Sequence, residues 1–138
     1  RTVLEGPVNP WFPATSDAEI VGVMILASDV QVRNMTVCLP GASGVVIDNM
    51  VGELAMEGCC VRGGDIGIRT TNSASTLMRF CDVTLSYTQG VSVSTQAYAS
   101  LDQCNVNSSL CCVGAKDLGT HVSIRGCDIN SAQQVGLT

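Results

Sequence analysis

The chain has 138 residues, 46% of them hydrophobic, 14% charged and 4% aromatic, with 14 glycines, 8 cysteines and a net charge of −5. That balance excludes a disordered chain and a core built on aromatic rings, and leaves small and β-branched side chains to carry the burial. The scattered basic residues give no footprint for a phosphate backbone, and no apolar run reaches the roughly 18 residues of a membrane span, so neither nucleic acid nor membrane is expected as a partner.

From the N-terminus, RTVLEGPVNP has no apolar core of a signal peptide. Pro10-Trp11-Phe12-Pro13 follows, with the only Trp of the chain. An exposed Trp11-Phe12 pair between prolines suits a partner contact or a sugar-stacking platform, and equally a cap over the first coil. Residues 1–21 are read as an entry segment and 22–138 as regular coils of a single domain.

One hexapeptide then recurs: Val32-Arg33-Asn34-Met35-Thr36-Val37, Met56-Glu57-Gly58-Cys59-Cys60-Val61, Met78-Arg79-Phe80-Cys81-Asp82-Val83, Leu101-Asp102-Gln103-Cys104-Asn105-Val106 and Ile124-Arg125-Gly126-Cys127-Asp128-Ile129. From Met35 through the four cysteines the steps are 24, 22, 23 and 23 residues. A second marker runs in phase with it: Gly44-Val45, Gly67-Ile68, Gly90-Val91, Cys112-Val113 and Gly136-Leu137. A repeat of this length means a solenoid. No leucine-rich frame is present, and the Ser, Thr, Asn and Gly between the markers favour turns over helix. The expected fold is all-β: a right-handed parallel β-helix of about five coils of 22–24 residues.

Within a unit the apolar alternation slips by one, as at 30, 32, 35 and 37, which implies a two-residue bend at 33 and 34 with strands on either side. The second bend residue is Asn34, Gly58, Phe80, Gln103 or Gly126, and Phe80 and Gln103 are the types least suited to a left-handed backbone. The first is Arg33, Glu57, Arg79, Asp102 or Arg125. Its sign alternates from coil to coil, so stacking would set each charge beside opposite ones in an outward ladder that specifies register more than stability.

Cys59, Cys81, Cys104 and Cys127 share one inward position, continued by Met35, where a thiol serves as a small hydrophobe. Such a column survives best in a reducing compartment, which points to the cytoplasm, nucleus or cilium. No metal is expected there, because ligands stacked in a line do not make a tetrahedron, and no cofactor is implied elsewhere. Cys60 should face outward.

The run from Gly22 to Val37, GVMILASDVQVRNMTV, resembles the opening coils of the pectin-lyase-like right-handed β-helix superfamily, and the likeness extends roughly from Thr2 to the end. That resemblance implies the fold and leaves function open, because the superfamily holds pectate lyases, polygalacturonases, pectin methylesterases, viral tailspikes and intracellular repeat proteins. The cysteine-rich coils are most similar to the last group.

The catalytic motifs of the hydrolases and esterases of that superfamily do not occur: there is no Asp-Asp pair, no Gly-His-Gly and no Gln-Asp-Thr. Asp82, Asn105 and Asp128 share the position after the sulfur column and form a possible groove site, although a polar outer strand face explains them as well. His121 reads as a solvated turn residue after Gly119-Thr120. The balance favours a non-catalytic scaffold or protein-interaction surface, its partners being proteins or the remainder of a longer solenoid into which Val135-Gly136-Leu137-Thr138 would lead. A carbohydrate-binding or polysaccharide-cleaving β-helix and a viral fibre segment are the alternatives.

Overall fold

The structure is a computed structural model, described over residues 2–5, 21–41, 43–108, 110–131 and 135–137. These residues form seventeen strands and no helix. In chain order they are β1 (Thr2–Glu5), β2 (Val21–Ile25), β3 (Val30–Arg33), β4 (Met35–Leu39), β5 (Val45–Asn49), β6 (Glu53–Glu57), β7 (Cys60–Gly63), β8 (Ile66–Thr70), β9 (Ser75–Arg79), β10 (Asp82–Ser86), β11 (Gln89–Val93), β12 (Tyr98–Asp102), β13 (Asn105–Ser108), β14 (Cys111–Ala115), β15 (His121–Arg125), β16 (Asp128–Ser131) and β17 (Val135–Leu137).

Every third strand joins the same sheet. The first sheet runs β1-β4-β7-β10-β13-β16, the second β2-β5-β8-β11-β14-β17 and the third β3-β6-β9-β12-β15, each pairing being parallel. Three strands therefore make one coil, and about five coils stack into a β-solenoid. Thr36, Cys60, Asp82, Asn105 and Asp128 pair in turn, so successive coils advance 24, 22, 23 and 23 residues, the period read from the sequence.

The core is a set of columns running along the solenoid. Val37, Val61, Val83 and Val106 line the first sheet, Ile47, Ile68, Val91 and Val113 the second, and Met56, Met78 and Leu101 the third; all are buried. Parallel pairing keeps like residues together, so one good packing solution is repeated coil by coil. Glycine appears where two sheets crowd each other. A Cβ on Gly90 would lie 2.6 Å from Val106 Cγ1 and 2.9 Å from the Cys112 carbonyl oxygen, and one on Gly67 2.7 Å from Val83 Cγ1.

The second marker needs one correction. Ile68 pairs with Ile47 and Val45 with Ile66, so the counterpart of Gly67-Ile68 is Val46-Ile47 and not Gly44-Val45. Residues 40–44 connect β4 to β5 where two residues, 64 and 65, connect β7 to β8, and this longer connection displaces the marker.

The bend between the third and first sheets starts one residue later than the alternation implied, with one residue (34) or two (58–59, 80–81, 103–104, 126–127) between the strands. Arg33, Glu57, Arg79, Asp102 and Arg125 each end a strand, and the turn is made by the residue after them. Asn34, Gly58, Phe80, Gln103 and Gly126 all take a left-handed backbone, with φ of 53°, 64°, 52°, 53° and 60°. Phe80 and Gln103 are therefore no exceptions. Their amides hold them there, since Phe80 N–H donates to the Asp102 carbonyl at 3.1 Å and Gln103 N–H to that of Arg125 at 2.8 Å. At the second-to-third corner, Asn72-Ser73 and Thr95-Gln96 both have positive φ inside turns closed from Ala74 to Thr71 and Ala97 to Ser94.

Candidate functional site

Two outward surfaces and one inward column carry the residues with chemistry. The outer face of the third sheet has three columns in register. Glu53, Ser75, Tyr98 and His121 form one; Gln31, Ala55, Leu77, Ser100 and Ser123 the next; and Arg33, Glu57, Arg79, Asp102 and Arg125 the third. Strict alternation puts these residues outside and Leu54, Met56, Met78 and Leu101 inside.

In the charge column Arg79 Nε lies 3.8 Å from Asp102 Oδ2, and the Arg79 guanidinium sits 5.4 Å from the centroid of the Phe80 ring. An exposed pair at that separation contributes little energy. Its effect is on alignment, because a slip of one residue would break every neighbour relation in the column. Leu77 and Tyr98 stay 40% and 39% exposed on the adjoining columns, giving the face two large apolar groups within a polar frame.

The first sheet presents Thr36, Cys60, Asp82, Asn105 and Asp128 in one column, with Asp82, Asn105 and Asp128 exposed. Asp82 and Asp128 are thus two strand spacings apart, about 10 Å, with the Asn105 amide between them. Cys60 is half-buried between Thr36 and Asp82. His121 is exposed but opens strand β15 opposite Tyr98, and so belongs to the sheet face and not to a turn. Trp11 and Phe12 lie outside the described residues.

The inward column is one of sulfur. Cys59, Cys81 and Cys104 are buried and Cys127 half-buried, all as free thiols, and Met35 packs at the end of the column. Each thiol meets the carbonyl two residues before it: Cys59 to Glu57 at 3.5 Å, Cys81 to Arg79 at 3.2 Å, Cys104 to Asp102 at 3.5 Å and Cys127 to Arg125 at 3.3 Å. Those same carbonyls accept the bend amides of the preceding coil, so the thiol fills their second lone pair. The neighbouring Cys104 thiol, with burial, pushes the Cys81 thiol up, while hydrogen bonding from Cys81 draws Cys104 down to about 7. Among the described residues no group of three or more His, Cys, Asp or Glu is placed to hold a metal ion.

Sequence reasoning overlooked a buried polar layer in the second and third sheets. Arg69 clamps Asp48 through Nη2 at 2.6 Å and Nε at 3.2 Å, and the Asp48 side chain is only 1% exposed. Asn49 Nδ2 donates to the Ser75 carbonyl at 2.9 Å and to Thr76 Oγ1 at 3.0 Å, and Thr70 and Thr76 share a hydroxyl contact at 2.7 Å. The signal was recoverable: once Ile47 is aligned with Ile68, Asp48 falls beside Arg69 and Asn49 beside Thr70.

The sequence matches no family model, no curated protein and no solved structure. The β-solenoid rests on the strand register alone.

Proposed function

We propose that this solenoid is a non-catalytic scaffold that binds a protein partner through the outer face of its third sheet, in the manner of the intracellular members of the pectin-lyase-like superfamily. The observation that carries the reading is the composition of that face. Leu77, Tyr98 and Arg79 stand together on a rigid, in-register surface, and Tyr and Arg are the side chains that most often dominate interface energetics. A sheet whose positions are locked by stacking loses little conformational freedom on binding, which favours affinity per contact. The free thiols support a reducing compartment as its setting.

The test is quantitative affinity capture from the cells that express the protein, comparing the native chain with Leu77→Asp and Tyr98→Asp. Both sites are outward, so the variants should keep the native circular dichroism. Loss of one or a few specific proteins from both variants supports the reading. Identical recovery from all three chains defeats it.

A carbohydrate-directed reading has one observation in its favour, the exposed Asp82, Asn105 and Asp128 column. It calls for polysaccharide binding or cleavage that disappears in Asp82→Asn and Asp128→Asn. At about 10 Å the two carboxylates are slightly beyond the usual separation of inverting glycosidases.

A further inference from the structure

The thiol column excludes a tetrahedral ion for the reason that fits it to a different one. Tetrahedral sites need ligands converging from several directions, and the column offers them in a line. Linear coordination by two thiolates is what soft monovalent ions with a filled d shell adopt, and thiolate is the ligand that selects copper(I). Two metal–sulfur bonds, each no longer than the roughly 2.3 Å of zinc–thiolate, span at most about 4.6 Å when laid end to end. Stacked strands, and so the bend residues beside them, repeat at about 4.8 Å.

Cys81 and Cys104 meet the remaining requirements. They occupy equivalent positions on adjacent coils, as shown by the Asn105 N–H donating to the Cys81 carbonyl at 2.8 Å and the pairing of Asp82 with Asn105. They are 1% and 3% exposed, and each lies in the same inward column at the bend of its coil. Cys127, half-buried on the next coil with its sulfur accepting the Cys104 N–H at 3.4 Å, marks a route from solvent to the pair.

We propose that Cys81 and Cys104 form a linear two-coordinate site for a soft monovalent ion of the copper(I) class. Binding replaces both thiol protons. Two S–H bonds break, two metal–sulfur bonds form, both protons pass to the buffer and no electron moves. The product carries one negative charge. The outer side of the same bend carries Arg79 and Arg125 with Asp102 between them, a net charge of one positive that faces it.

The experiment uses the full chain, reduced and free of oxygen, titrated with copper(I) against a bicinchoninate competitor and read by native mass spectrometry and thiolate-to-copper absorption. One ion per chain should be retained. Cys81→Ser and Cys104→Ser should each weaken retention about 100-fold or more, as expected when a chelate loses one arm. Cys60→Ser should leave it unchanged, and zinc(II) should not be held. Retention of no copper by the native chain overturns the proposal, as does retention that survives both Cys81→Ser and Cys104→Ser. Should either serine variant fail to fold, hydrogen exchange on the native chain decides: copper(I) should slow exchange at residues 79–81 and 102–104, and unchanged exchange there overturns the site.

Discussion

Replacing Gly90 with Ala tests whether the first and second sheets approach too closely for any side chain. The added methyl would sit 2.6 Å from Val106 Cγ1, 2.9 Å from the Cys112 carbonyl oxygen and 3.6 Å from Val83 Cγ1. Both valines are fully buried, so neither can swing into solvent. Overpacking of this kind costs about 1–3 kcal/mol. Val106→Ala alone removes two buried methyl groups, and transfer plus cavity terms make that about 2–3 kcal/mol. In the double variant the alanine at 90 fills space vacated at 106, so the sum should fall short of additivity by about 1 kcal/mol or more. Urea unfolding of the four chains gives the cycle, and a domain of this size has about 5–15 kcal/mol from which to lose it. Two outcomes would refute the packing argument: Gly90→Ala within about 0.5 kcal/mol of the native chain, or strictly additive losses.

Gln103→Gly should stabilise the protein by about 0.5–1 kcal/mol in the same assay, because position 103 has a φ of 53° and a left-handed backbone strains any residue with a Cβ more than it strains glycine. Asp102→Arg should place three arginines in a row between Arg79 and Arg125, lowering the urea midpoint at low salt by the equivalent of about 1 kcal/mol, and 1 M sodium chloride should recover most of the loss. Stability should also vary with pH around the thiol pair. Between about pH 7 and 9 the folded chain gives up the Cys104 proton before the unfolded chain does, so stability rises. Above about pH 9 the unfolded chain loses the Cys81 proton that the folded chain keeps, so stability falls. Cys104→Ser should remove the rising limb and shrink the falling one, since burial still holds the Cys81 thiol up; urea midpoints from pH 7 to 10 check this.

Periodicity was legible because parallel stacking reuses each position. A column such as Val61, Val83 and Val106 writes the same residue type into the chain at each turn of the solenoid, and the alternating charges beside it follow from adjacency across strands. The left-handed bend was legible at Asn34, Gly58 and Gly126 but not at Phe80 or Gln103, where amides bonded to the next coil override the intrinsic preference. The misplaced marker at Gly44 has a different origin. Spacing locates a strand only while connections keep their length, and the 40–44 connection does not. The Asp48–Arg69 pair was hidden for the same reason, since its two residues become neighbours only in the corrected register. Of the candidate surface residues, Asp82, Asn105 and Asp128 could be aligned from the repeat. Leu77 and Tyr98 lie on the same strands as the charge column but ahead of the repeat unit, where no motif drew attention to them.

The sulfur column shows how one local need shapes the whole interior. At the bend the chain passes from the third sheet to the first through a left-handed residue, and the carbonyl of the preceding strand end accepts an amide of the neighbouring coil on one lone pair and the thiol on the other. A hydroxyl there would satisfy the second lone pair but bring a strongly polar oxygen into the core, and valine would leave that second lone pair without a donor. Cysteine does both tasks weakly: its S–H reaches the carbonyl at 3.2–3.5 Å while its sulfur packs as an apolar group. Repeating that choice from Cys59 to Cys127 stacks thiols on adjacent coils, so a solution to backbone satisfaction generates a row of soft ligands. The sulfur chemistry in this solenoid is in that sense a consequence of its fold, and the copper(I) titration measures whether the molecule uses it.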